Sequence, residues 1–119
     1  MTKTEQNKQI THDWIRAFNE QNLQNLLALY HNDAEHFSPK LKIRQPETNG
    51  FIKGKEAMKA WWADAFERLP SLQYVLVNLI VDDKQVFMEY LRKVDGEAEM
   101  MVGEVLEIEE GLIVKSRVC

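Results

Sequence analysis

Up to Pro70 the apolar residues recur mainly with a helical period, and beyond it they alternate with period two. Thr2-Lys3-Thr4-Glu5 has the form of a capping box, and Ile10, Trp14, Ala17 and Phe18 follow at i, i+4, i+7 and i+8, one stripe of a helix. Asn19 to Asn22 interrupts it. Asn22 then serves as cap for a short second helix carrying Leu23, Leu26, Leu27 and Tyr30. Ala34 to Ser38 reads as a strand stopped by Pro39, and Lys40 to Lys53 as a loop with a brief extended piece at Leu41 to Arg44. Gly54 opens a third helix, with Met58, Trp61, Trp62, Ala65, Phe66 and Leu69 on one face and Pro70 ending it. Four strands follow: Leu72 to Val81, Gln85 to Lys93, Ala98 to Ile108 and Leu112 to Val118. The order α-α-β-α-β-β-β-β predicts one α+β domain over 1–119, a curved antiparallel sheet wrapped around three helices.

Turn chemistry predicts the register. Asp95-Gly96 suits a two-residue hairpin loop, which pairs Leu91 with Met100, Glu89 with Val102 and Phe87 with Glu104. A three-residue loop with Gly111 left-handed pairs Ile108 with Leu112 and Glu104 with Ser116. The concave face then holds Phe87, Leu91, Met100, Val102, Leu106, Ile108, Leu112, Val114 and Val118, interrupted by Glu89, Glu104 and Ser116. The outer face holds Met88, Tyr90, Arg92, Met101, Val105, Lys115 and Arg117. Exposed Met and Tyr beside Arg is a composition enriched at interfaces, so a homodimer through Met88, Tyr90, Arg92, Met101 and Arg117 is expected.

Charge narrows the partners. Lys and Arg total 15 against 19 Asp and Glu, a net charge of −4 at pH 7, without the basic patch of a nucleic-acid binder. One cysteine, Cys119, provides neither an internal disulfide nor a Cys-based zinc site. No run approaches the roughly 20 apolar residues of a membrane span, and the N-terminus is polar, so a cytoplasmic protein with no membrane or nucleic-acid partner is expected.

The stretch Trp14-Ile15-Arg16-Ala17-Phe18-Asn19-Glu20-Gln21-Asn22-Leu23 resembles the SnoaL-like branch of the NTF2-like superfamily. Leu27 to Tyr30, Asp33-Ala34, Ser38-Pro39, Gly54 to Met58 before Trp61-Trp62, and Gly111 to Val114 continue the likeness in order. The resemblance implies a cone enclosing an apolar pocket, often with dimerisation through the outer sheet face. It also implies a comparison with the steroid isomerase branch. There the branch's first-helix tyrosine falls on Trp14, its base on Ser38 and its oxyanion-binding acid on Glu104, so only Glu104 keeps a suitable side chain. The cyclase branch's catalytic aspartate falls beyond Val118.

Glu104 is the most informative position, because a carboxyl amid apolar neighbours must raise its pKa, find a donor or line a wet cavity. As a neutral acid it is a candidate oxyanion donor. His36 shares strand parity with Ser38 and is the candidate proton shuttle, against the commoner role of a satisfied core histidine. Trp14, Ser38, Trp62, Phe87, Glu89, Met100, Val102, Ser116 and Val118 are the expected pocket wall. Adjacent Trp61 and Trp62 point about 100° apart, so one is expected in the core and the other, Trp62, in the pocket. His31, Asp33 and His36 match no established ligand spacing, so neither metal nor cofactor is expected. Lys40, Lys42, Arg44, Lys53 and Lys55 form a loose basic set that would attract an acidic ligand or simply be solvated. The expected function is binding of a small apolar molecule. The alternative is a cofactor-free isomerase or cyclase-like enzyme using Glu104 and His36.

Overall fold

The computed structural model describes residues 1–119. Helix α1 (Lys3–Asn19) starts at the capping box, with the Thr2 and Glu5 side chains each taking the other's backbone N–H. Asn22 caps α2 (Leu23–Ala28), its side chain accepting from the N–H of Asn25. Strand β1 (Tyr30–Phe37) then runs into a helix, α3 (Pro39–Arg44), where the sequence reading expected a loop. Ser38 caps α3 and Pro39 occupies its first turn, where a missing N–H costs nothing. A 3₁₀ turn (Pro46–Thr48) and the three-residue strand β2 (Phe51–Lys53) lead to α4 (Lys55–Arg68). Strands β3 (Gln73–Val81), β4 (Gln85–Lys93), β5 (Met100–Glu109) and β6 (Leu112–Val118) complete the chain.

The six strands form one sheet in the order β2-β1-β6-β5-β4-β3. Every neighbouring pair is antiparallel except β1 with β6, which is parallel. The helices fill the concave side. Trp14 and Phe18 of α1, Leu26 of α2, Leu41 of α3 and Met58, Trp62 and Phe66 of α4 are buried against Tyr30, Met88, Leu106 and Ile113 of the sheet. No helix is long and apolar enough to cross a membrane.

Two turns differ from expectation, with different consequences. Asp95 and Gly96 do form a turn, closed by the Glu97 N–H donating to the Val94 carbonyl at 3.0 Å. Only Gly96 has positive φ, however, so the turn is not type I′. Val94 to Glu99 all lie between the strands, and the ladder resumes at Arg92 with Met100, Tyr90 with Val102 and Met88 with Glu104. That is one residue away from the expected register, and a shift of one turns a strand over. Val86, Met88, Tyr90 and Arg92 therefore face inward, while Phe87, Glu89 and Leu91 face outward.

The second turn uses two residues, Glu110 and Gly111, both at positive φ (50° and 79°). It pairs Glu109 with Leu112 and Ile108 with Ile113, so Ile113 is buried where Leu112 and Val114 were expected. A bulge between Glu107 and Ile108 then moves the register by one more residue. The two shifts add to two residues, which restores the face but not the partners: Ser116 and Val118 lie on the inner side as expected, yet Ser116 pairs with Leu106 and Glu104 with Val118.

Candidate functional site

A cavity of about 520 Å³ opens between the inner face of the sheet, α3 and α4. Phe18, Trp61, Trp62, Tyr74, Tyr90 and Val102 give it an apolar body, and Glu104, His36 and Ser38 contribute its inner polar groups. Arg92, Lys40, Arg44, Arg68 and Glu97 stand around it as well. Both tryptophans line it, together with Ala65 and Arg68 of the same helix.

Glu104 is 2% exposed. Its Oε1 accepts a 2.8 Å hydrogen bond from the Tyr90 hydroxyl, and its Oε2 is buried with no partner. Burial pushes the carboxyl up to about 7, and the bond from Tyr90 offsets only part of that. Whichever protonation state Glu104 takes, Oε2 lacks either a donor or an acceptor. A small molecule that supplies one would remove that cost.

His36 is held from behind by a chain of hydrogen bonds. The Trp14 indole Nε1 donates to the Tyr30 hydroxyl at 3.1 Å, and that hydroxyl donates to Ser116 Oγ at 2.9 Å. Ser116 Oγ lies 2.7 Å from His36 Nδ1. The Ser116 hydroxyl has two lone pairs as well as its proton, so it donates to Nδ1 or accepts from it according to the tautomer of the ring. With Nδ1 as acceptor the neutral ring carries its proton on Nε2, and with Nδ1 as donor Nε2 is the free acceptor. Burial lowers His36 to about 4, so the ring is neutral at pH 7. Burial also raises Tyr30, Tyr74 and Tyr90, with the nearby Glu104 charge as the second cause, so all three stay protonated donors.

The register of the strands brings the two candidate groups to one place. His36 pairs with Ser116 and Glu104 with Val118, so they lie two strand spacings apart across β6 and two residues apart along it, roughly 12 Å between backbones. Ser38, Trp62, Met100, Val102 and Val118 also line the cavity. Ser38 accepts from the Lys40 N–H, which makes it the cap of α3.

Four expected wall residues lie elsewhere. Trp14 sits behind the wall, its ring stacked at 5.8 Å on Tyr74. Ser116 is behind His36 as its hydrogen-bond partner. Phe87 and Glu89 are on the outer face, where Phe87 covers Gly103 and Glu89 accepts from Asn78. Conversely Met88, Tyr90 and Arg92, expected at an outer dimer contact, are buried inside. The sequence reading missed Tyr90 and Arg92 for that one reason, and missed Tyr30 because its strand begins four residues earlier than Ala34.

The sequence profile of the SnoaL-like domain matches residues 11–116. No functionally curated protein matches the chain in sequence. Among solved structures, a SnoaL-like protein of unknown function from Burkholderia thailandensis superimposes with a TM-score of 0.86 at 24% identity, covering 97% of this chain and 93% of that one. A candidate ketosteroid isomerase from Kribbella flavida gives 0.79 at 18% identity, covering 99% and 79%. An NTF2-like protein of unknown function from Cytophaga hutchinsonii gives 0.73 at 16%, covering 95% and 88%. At these identities the structural likeness establishes the fold alone.

Proposed function

We propose that this chain, which belongs to the SnoaL-like domain family, binds one small, largely hydrophobic molecule in its cone and holds a polar group of that molecule between Glu104 and His36. The observation that carries the reading is the unpartnered Oε2 of Glu104 beside an aromatic cavity of about 520 Å³. Apolar walls with a few convergent polar groups are the usual make-up of a small-molecule site. Titration of the protein with 2-naphthol and with naphthalene, followed by tryptophan fluorescence, tests it. 2-Naphthol is expected to bind about tenfold tighter, an advantage of the size of one or two hydrogen bonds. The Glu104→Leu variant should lose that advantage and keep the affinity for naphthalene. Equal affinity for the two compounds in the parent protein would overturn the reading.

The raised pKa of Glu104, with His36 in the tautomer that carries its proton on Nε2, supports a second, enzymatic reading. A carboxyl with a pKa of about 7 is poised as a general base. A neutral imidazole donating from Nε2 is an electrophile for a carbonyl oxygen, the pattern seen in triosephosphate isomerase. Glu104 would take a proton from the carbon next to the carbonyl while the His36 N–H stabilises the enolate oxygen. These roles are the reverse of the oxyanion donor and proton shuttle expected from sequence. The same samples decide it with 2-tetralone in D₂O: catalysed exchange of its α-hydrogens, lost in Glu104→Gln, supports an enzyme. Exchange no faster than in buffer leaves the binding reading alone.

A further inference from the structure

The polar groups of the cavity do not all lie at its inner end. Arg92 projects from the inner face of β4 with its side chain only 8% exposed, and its guanidinium donates to Glu97 Oε1 at 2.9 Å. Glu97 is a half-exposed residue of the β4–β5 loop, and it leaves the remaining guanidinium donors of Arg92 unused by any carboxylate. Lys40, on the first turn of α3, has no carboxylate within ion-pair distance. Lys40 lines the same cavity as Arg92, Arg68 and Glu97; burial lowers its pKa first, Arg92 and Arg68 lower it further, and Glu97 raises it. Arg68 and Arg44 share Asp64. The cavity rim thus carries Lys40, Arg44, Arg68 and Arg92 against Glu97 and Asp64, an excess of positive charge on a chain whose net charge is −4.

The position of this cluster relative to the inner polar groups is set by the sheet. Arg92 stands four residues along β4 from Met88, the residue opposite Glu104, which is about 13 Å at ordinary strand rise. Tyr90 and Val102, paired with each other, lie between the two levels. A planar two-ring molecule lying on that aromatic stretch presents one end to Glu104 and the other to Arg92.

We infer that the natural ligand is an amphipathic organic anion: a flat apolar body with a carboxylate or similar acid at one end, bound at the rim by Arg92 and Lys40, and a hydroxyl or carbonyl at the other. This deepens the binding reading above and rests on it. Glu97 occupies Arg92 in the absence of such a molecule, so the incoming anion competes with it for the guanidinium.

6-Hydroxy-2-naphthoate carries both polar groups on the 2-naphthol framework, which makes the ratio of its affinity to that of 2-naphthol the readout. The expected ratio is at least tenfold at low salt, shrinking as salt is raised. Lys40→Met should lower the ratio several-fold, and Glu97→Gln should raise it by removing the competing carboxylate. Arg92→Met should abolish it. If that buried substitution prevents folding, the exposed Lys40 and Glu97 variants still decide the matter by moving the ratio in opposite directions. A carboxylate that brings no gain, or a ratio indifferent to both exposed variants, overturns the anion assignment while 2-naphthol binding stands. Failure of both compounds to bind would instead remove the binding reading itself.

Discussion

Glu104 and His36 respond to burial in opposite directions. Glu104 rises to about 7, so between the ordinary carboxyl value of 4.5 and that point the folded protein holds a proton the unfolded chain has released. Its contribution to stability therefore falls as pH rises through that window. His36 drops from 6.5 to about 4, so there the unfolded chain holds the extra proton and stability rises with pH. Each shift corresponds to on the order of 3 kcal/mol. Over the shared interval the two slopes cancel. Substituting one residue should expose the other. Relative to the parent protein, Glu104→Gln should gain stability as pH rises from about 4.5 to 7, and His36→Asn should gain it as pH falls from about 6.5 to 4. Urea unfolding across this range checks the signs. Curves that run parallel to the parent's in both variants would rule out the buried pair.

Among the elements, the β5–β6 hairpin shows a local cost accepted for a distant alignment. Glu110 sits at φ 50°, a region that branched and long side chains enter reluctantly, while Gly111 at φ 79° is at ease. A three-residue loop would have spared Glu110, but the two-residue turn with a bulge buries Ile113 and still directs Ser116 to His36. Asn-Gly is the preferred pair for such a turn. Glu110→Asn should accordingly stabilise the protein by about 0.5 to 1 kcal/mol, read as a shift in the urea midpoint at constant slope. No gain, or a loss, would mean that Glu110 contributes contacts that outweigh its backbone strain.

Over the whole molecule, the outer face of the sheet is apolar where β3, β4 and β5 meet. Val75, Val77 and Ile80 are exposed, and Phe87 and Leu91 lie beside them on the same face, with Met101 at its margin. The hydrogen-bonded pair of Asn78 and Glu89 divides these side chains into two apolar patches, a pattern suited to an interaction surface. The dimer expected through this face is thus an expectation about Val75, Ile80, Phe87 and Leu91, with Met101 and Arg117, rather than about Met88, Tyr90 and Arg92. Sedimentation at micromolar concentration should give a dimer. Ile80→Lys, which puts a charge on a side chain 69% exposed, should give a folded monomer. A parent protein that sediments as a monomer would refute the expectation.

Signals confined to neighbouring residues were legible in the chain. Thr2 and Glu5, Asn22, and the stripe from Met58 to Leu69 announce α1, α2 and α4, because caps and helical periodicity depend on residues within a turn or two. The inward aim of Glu104, Ser116 and His36 was legible from strand parity for the same reason. α3 was not, since six residues with one buried leucine carry too short a pattern to separate from a loop. The face of β4 was decided only in three dimensions. Asp95-Gly96 is satisfied by more than one turn type, and the packing of Met88 and Tyr90 into the core selects the register that buries them and carries Arg92 to the same side. That one-residue choice moves an arginine and a tyrosine from the outside of the protein to the inside of its cavity. The chain could thus reveal that Glu104 would be buried, but only the assembled sheet determined that Tyr90 would hold its Oε1, that Oε2 would be left free, and that Arg92 would line the same cavity.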